Sequence, residues 1–325
     1  MPSLKVSEYL PEKTKVSAPG LQCKVVSLAV RRFGSDQKLA DFLNTSRSRI
    51  NDWKFERTRM DFGSLRKLCR MVGESIPEHV QAESHKRTAL KVSEIQVSPE
   101  LSWFIGIRDG DRDEDAYSLG IGTSDIEIAQ EFVRVLCNLF GVKASDLWYQ
   151  VKVPDRSRLE RGGDCAAKLG CKANVKVKTP RERYKTEHMT VRYLNGAAKA
   201  LVSNIEVDFE RILLGADAYV QGAYVKGLID SEGTVKESGR IVVVMRRVSM
   251  GRLKLASRIL ENLGMRHNFV DDKKNDLITL TIYPNRKILE FCMPVHRGKS
   301  WRLSTALGLE QEFHGNVYRP WVSRS

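Results

Sequence analysis

The sequence predicts an α+β fold: two similar halves in tandem, preceded by a small all-α domain. Three observations predict it. A short motif ending in an acid recurs, and Gly106 to Gly227 and Asp111 to Glu232 share one offset of 121 residues. The segments after each copy then run in the same order: helix, strands, helix, strands, helix. Upstream of both, Leu21 to about Leu90 carries helical apolar spacing.

In chain order, residues 1–20 are polar and read as a flexible arm. Residues 21–95 hold the helical domain and a polar linker. Its informative stretch is Ser35–Lys54. Ser35 or Asp36 can cap a helix whose apolar face is Leu39, Ala40 and Leu43. Asn44 tolerates a left-handed turn. Ser46 can cap a second helix with Ile50 and Trp53 inward, and Leu65, Leu68, Cys69 and Val72 carry a third. This pattern resembles a helix-turn-helix of the Cro and phage-repressor type. The resemblance implies that the second helix enters the major groove of DNA by its N-terminal residues. Arg47, Ser48 and Asn51 would then read bases, with Arg49 and Lys54 nearer phosphate. An ordinary helical bundle with an exposed basic face is the plainer alternative.

The two halves span 96–206 and 207–325. The second opens on a helix, apolar on more than one side, that runs through Tyr224-Val225-Lys226-Gly227-Leu228-Ile229-Asp230-Ser231-Glu232 to Gly233, a natural stop. Glu232 breaks a local rule, because the C-terminal end of a helix already carries partial negative charge. A hard cation would resolve that conflict. The first half opens on a fainter copy, Trp103 to Asp111. Gly106 with Gly110, and Gly227 with Ser231, stand four apart on one helix face. Such small-residue stripes let two helix backbones approach closely. If these helices pack through them, Asp111 and Glu232 end side by side, and two carboxylates that close need a shared proton or a metal. Asp109 and Asp230 fall on another face and read as supporting residues.

After each motif come a strand (117–124; 240–246), a helix (126–140; 251–263), two further strands and a last helix. The first half adds a basic insertion, 154–185, read as an extended loop or hairpin that contacts DNA. Within it Lys172, Asn174, Lys176 and Lys178 alternate with Ala173, Val175 and Val177, so the polar side chains share one face. In the second half Arg240 and Arg246 flank Val242 and Val244 on one strand face. A solvated outer sheet face is the alternative in both places.

The motif Gly227-Leu228-Ile229-Asp230-Ser231-Glu232-Gly233 resembles the signature of the LAGLIDADG homing endonucleases. The upstream copy resembles the more divergent first motif of two-motif members, with Arg112 in place of the closing glycine and Arg108 where an apolar residue is frequent. The resemblance covers about residues 96–315. It implies tandem pseudo-symmetric αββαββα units forming a DNA-binding saddle, with both acids at its centre. It implies site-specific, metal-dependent hydrolysis of phosphodiester bonds in double-stranded DNA. Asp111 and Glu232 would bind Mg²⁺ or another divalent cation. Lys299, in His296-Arg297-Gly298-Lys299, is the basic residue expected near the cut. The matching place in the first half, Ile205-Glu206-Val207-Asp208, offers no lysine. That asymmetry leaves room for a non-cleaving transcriptional regulator derived from such an enzyme, and the basic loop leaves room for an RNA-binding splicing helper.

Composition agrees with a polyanionic partner. Fifty-four Lys and Arg face forty Asp and Glu, for a net charge of +14 in 325 residues. No apolar run approaches the ~20 residues that span a bilayer, and Met1 to Lys15 lacks the apolar core of a signal peptide. The six cysteines form no CxxC pair and suit small core positions in a reducing compartment, so a cytoplasmic protein is expected. The chain neither starts with Cys or Ser nor ends in His-Asn, so a free-standing protein rather than an intein is expected. Two motifs in one chain lead us to expect a monomer.

Overall fold

The computed structural model describes residues 2–76, 81–83, 89–90, 92–113, 117–170, 174–179 and 185–309. In chain order the N-terminal third holds β1 (Ser3–Lys5), α1 (Val6–Tyr9), β2 (Lys15–Ser17), α2 (Leu21–Phe33), α3 (Asp36–Phe42), α4 (Arg47–Lys54), β3 (Met60–Asp61), α5 (Phe62–Val72), β4 (Gln81–Glu83), β5 (Ala89–Leu90) and β6 (Glu94–Gln96).

Two expectations for this third are corrected. Residues 2–20 are not a loose arm. Leu4, Val6, Leu10, Val16 and Ala18 are all buried, and apolar side chains scattered through a polar stretch fix it once they find a core. β1 pairs antiparallel with β6, and α1 is tied to a later helix where Asn204 Nδ2 donates to Tyr9 O at 2.7 Å. Nor is the region all-α. β2 lies between β3 and β4 in a four-stranded sheet of order β3-β2-β4-β5. Strands of two or three residues are too short for a period-two pattern to register.

The helices follow their local chemistry. Ser35 Oγ accepts from Lys38 N, and Ser46 Oγ accepts from Arg49 N, each at 3.2 Å. Asn44 turns between α3 and α4 with φ 52°. Ile50, Trp53, Leu39, Leu65 and Leu68 are buried.

The first half holds α6 (Pro99–Asp111), β7 (Leu119–Thr123), α7 (Ile126–Phe140), β8 (Trp148–Val153), α8 (Leu159–Lys168), β9 (Asn174–Val177), β10 (His188–Tyr193) and α9 (Gly196–Leu214). The second holds α10 (Ala218–Glu232), β11 (Gly233–Val235), β12 (Ile241–Arg246), α11 (Met250–Asn262), β13 (His267–Asp272), β14 (Leu277–Ile282), α12 (Arg286–Phe291) and α13 (Arg297–Ala306). The sheets run β7-β10-β8-β9 and β11-β12-β14-β13. By position in the chain, β7, β10 and β8 answer to β12, β14 and β13. Among the described residues, the counterpart of β11 is one antiparallel bridge, Arg112 to Ile121.

The basic insertion also differs from the expected loop or hairpin. It contributes a helix, α8, and β9 joins β8 in parallel. Gly162 lets α8 lie on these strands, since a Cβ there would sit 2.7 Å from Val153 Cγ1 and from Val175 Cγ1. Lys172 lies outside the described residues.

Candidate active site and nucleic-acid interface

α6 and α10 meet backbone to backbone. A Cβ on Gly227 would lie 2.5 Å from Trp103 O and 2.6 Å from Ile107 N. One on Gly106 would collide with Tyr224 O, and one on Gly110 with the side chains of Ser231 and Glu232. Gly106, Gly110, Gly227 and Ser231 are therefore all in this contact. Gly233 stops α10 differently from a left-handed cap: its φ is −78° and it leads straight into β11. Glycine is needed there for space, because a Cβ would lie 2.6 Å from Ile229 O.

Two reciprocal hydrogen bonds fix the register of the helices. Trp103 Nε1 donates to Asp230 Oδ2, and Tyr224 Oη donates to Asp109 Oδ2, both at 2.9 Å. Donors and acceptors repeat with the same spacing as the motif. Asp230 is 2% exposed and also accepts from Val295 N at 2.8 Å. Burial raises the pKa of both Asp109 and Asp230.

This packing brings Asp111 and Glu232 within electrostatic reach at the C-terminal ends of the two helices. The Asp111 carboxyl is pushed up to about 7, first by burial and then by the Glu232 charge, against Lys299. Burial raises Glu232 as well, with Lys299 opposing. Lys299 reaches in from α13. Its Nζ donates to Ile229 O at 2.8 Å and to Asp230 O at 2.7 Å in the last turn of α10, where Ile229 O also accepts from Gly233 N. Burial lowers the pKa of this lysine, while Asp230 and Asp111 hold it up. His296, three residues earlier, caps the same helix and faces Asp125 at 3.0 Å.

The end of α6 is finished by other groups. Arg252 of α11 donates from Nη1 to Asp109 O at 2.7 Å and pairs through Nε with Asp109 Oδ1 at 3.0 Å. Arg108 is fully buried against the Phe104 ring and donates to Glu206 Oε1 at 2.7 Å. Arg112 donates to the same oxygen at 3.0 Å. Sequence reasoning passed over Arg252, because a pairing across 143 residues has no local signal.

Two neighbouring carboxylates with raised pKa fit a hard divalent cation, which would relieve the burial of both charges. Lys299 already occupies two nearby carbonyls. Among the described residues, no group of three or more His, Cys, Asp or Glu is placed to hold a metal. A cation here would take ligands beyond Asp111 and Glu232 from water and phosphate.

The other candidate residues lie on α4, on and just after β9, and on and just before β12. Arg47, Ser48 and Arg49 on α4 are exposed, Asn51 is half-buried, and Lys54 faces Asp36 at 3.9 Å. Lys176 is exposed on β9, and Lys178 is half-buried just beyond it. Arg240 and Arg246 are exposed at the ends of one face of β12, with Val242 and Val244 between them. Arg240 and Arg266 lie over the Tyr283 ring at 5.7 and 4.8 Å.

The polar face expected for Asn174 and Lys176 extends across the first sheet. Register aligns His188, Lys152 and Lys176 in one row, and Thr190, Gln150 and Asn174 in the next. Arg192 follows, over the Trp148 ring at 5.4 Å. Asp113 accepts from Arg192 Nη2 at 2.6 Å and from Thr190 Oγ1 at 3.0 Å. No helix among the described residues is long and apolar enough to cross a membrane.

No protein-family model matches the chain, and no curated protein matches it. Solved structures give similarities at low identity. The chain is similar to I-DmoI in a crystal structure with DNA and Mn, at 19% identity over 61% of this chain and 97% of that one, TM-score 0.39. With DNA and Ca, the same protein aligns at 19% identity over 66% of this chain and 98% of that one, TM-score 0.40. Full-length DUF199/WhiA from Thermatoga maritima aligns at 12% identity over 67% of this chain and 61% of that one, TM-score 0.39.

Proposed function

We propose that this protein is a site-specific endonuclease of the LAGLIDADG kind, hydrolysing phosphodiester bonds in double-stranded DNA with Mg²⁺ or another divalent cation. The observation that carries this reading is the Asp111–Glu232 pair at the joint of two helices that touch through their backbones. Residues 96–206 and 207–325 are the two units of the saddle, and 21–95 are a helix-turn-helix domain that adds contacts through α4. The protein acts as a monomer in the cytoplasm.

The residues divide the work. Asp111 and Glu232 would hold the cation, which would supply positive charge to the scissile phosphate and its attacking water. Lys299 keeps a charge beside the developing negative oxygen while anchoring the end of α10. Trp103 and Tyr224 fix the spacing of the two acids by locking helix register. Arg192, Lys152, Lys176, Arg240 and Arg246 lie along the DNA backbone.

A second reading, a non-cleaving DNA-binding regulator, is favoured by one observation. Lys299 donates into the last turn of α10 and opposes the charge of both acids, where a metal would otherwise do so. One assay separates the two. The protein is incubated with DNA of its own locus, free of any intervening element, plus Mg²⁺. A defined cut, lost in Asp111→Asn with binding retained, supports the nuclease. Binding without any cut leaves the regulator.

A further inference from the structure

The outer faces of the two sheets differ in kind. On the first, the rows His188, Lys152, Lys176 and Thr190, Gln150, Asn174 are polar throughout. On the second, register aligns Val244, Thr279 and Val270 in one row. Val242, Thr281 and Asn268 form the row on one side of it, and Arg246, Leu277 and Asp272 the row on the other. Val244, Val270 and Leu277 are 39%, 46% and 36% exposed. Their strand neighbours Val243, Met245, Ile278 and Leu280 are buried on the opposite face. The core therefore closes without the three exposed side chains, and in water their apolar surface gains nothing.

Cations bracket this apolar patch. Arg246 stands at one end, and at the other Arg240 and Arg266 lie over the Tyr283 ring. The acid in the outer row, Asp272, is turned into the loop after β13, where it accepts from Lys274 N at 3.1 Å, Asn275 N at 3.2 Å and Asn275 Nδ2 at 2.7 Å. Positive ends around an apolar centre fit a polyanion that shows methyl groups between its phosphates. The major groove of DNA does so at every thymine, through the C5 methyl. Rows on one sheet face stand about 6.8 Å apart, which is two base steps of about 3.4 Å. We propose that the second sheet reads thymine methyls, with Val244 and Val270 against them and the exposed Asn268 bonding an adenine of the same A·T-rich segment. One half of the DNA site is then chosen by apolar contact and the other, under the first sheet, by hydrogen bonds. The inference rests on the DNA-binding part of the reading above and not on cleavage.

The test uses the full-length protein without divalent cation, on the duplex of its own locus that footprinting shows it to cover. Deoxyuridine, which lacks only the methyl, replaces thymidine in one half of the footprint and then in the other. Replacement in one half is expected to weaken binding about fourfold for each contacted methyl, and replacement in the other half to change little. The Val244→Ser/Val270→Ser variant, altered only at exposed positions, should bind the thymidine duplex more weakly and lose its sensitivity to deoxyuridine. A partly unfolded variant would instead weaken on both duplexes by the same factor and keep that sensitivity. Wild-type affinity that ignores deoxyuridine in both halves overturns the proposal and leaves DNA binding standing. Sensitivity that persists in the folded double variant overturns it too. So does a dimer in sedimentation that the double variant disperses, which would give the face to a second copy of the chain. Absence of any bound duplex would remove the proposal together with the DNA-binding reading, whereas loss of cutting with these affinities intact would defeat only the nuclease.

Discussion

At the end of α10, Lys299 arrives from α13 and donates to two helix carbonyls. At the end of α6, Arg252 arrives from α11 and donates to one. Both cations belong to the second half. At the place in the first half that answers to Lys299, Glu206 instead binds Arg108 and Arg112. The motif is therefore repeated while its supporting charges are not. The repeat sets how closely the backbones meet and where the acids fall. Burial first, and the charges around it second, decide how each acid behaves, and the Asp111 carboxyl is pushed up to about 7.

The largest expected effect concerns cutting. Asp111→Asn and Glu232→Gln should each remove detectable cleavage and keep duplex binding, as read by plasmid linearisation beside a binding assay. Lys299→Met should slow cutting by roughly 100-fold, and Arg252→Met by much less. Equal losses from the two cations would erase the distinction drawn between the helix ends.

Stability against pH gives the next effect. The folded Asp111 carboxyl is raised from 3.8 to about 7, so its protonated form is favoured by the fold. Its contribution is fully present below about pH 4 and is lost as pH rises to about 7. Each unit corresponds to about 1.4 kcal/mol. Without divalent cations, Asp111→Asn should therefore be more stable than wild type at pH 8, by up to about 4 kcal/mol, and no more stable at pH 3. Denaturant melts at both pH values check this. A gain of the same size at both would show that Asp111 does not carry the shared proton.

Helix contact comes third. Gly227→Ala forces a methyl against backbone atoms that cannot swing away, and should cost about 3 kcal/mol. Gly106→Ala should cost a similar amount, since its obstacle is also backbone. The smallest effect compares the reciprocal bonds. Trp103→Phe and Tyr224→Phe each leave a carboxylate short of a donor, at about 1–3 kcal/mol. The Trp103 change should cost more, because Asp230 is 2% exposed and Asp109 is less deeply buried.

Much of this arrangement was legible in the sequence. Glycine spacing pointed to the close contact of Gly106 with Gly227, because a missing side chain is a local and unambiguous sign. Ser35, Asn44 and Ser46 marked the ends of α3 and α4 for the same reason. What escaped depended on partners far along the chain. Arg252 looks like any surface arginine until α11 is set against α6. Lys152, His188 and Lys176 form a row only once three strands are in register. The strands of the first ninety-six residues are too short to show a period, and β1 finds its partner only at Glu94–Gln96.

The crossed pair of Trp103 to Asp230 and Tyr224 to Asp109 has one more consequence. Sliding α6 along α10 by even one residue would carry both donors away from both acceptors in the same movement. Intermediate offsets gain nothing from either bond, so the alignment of the two acids is all-or-none and does not drift.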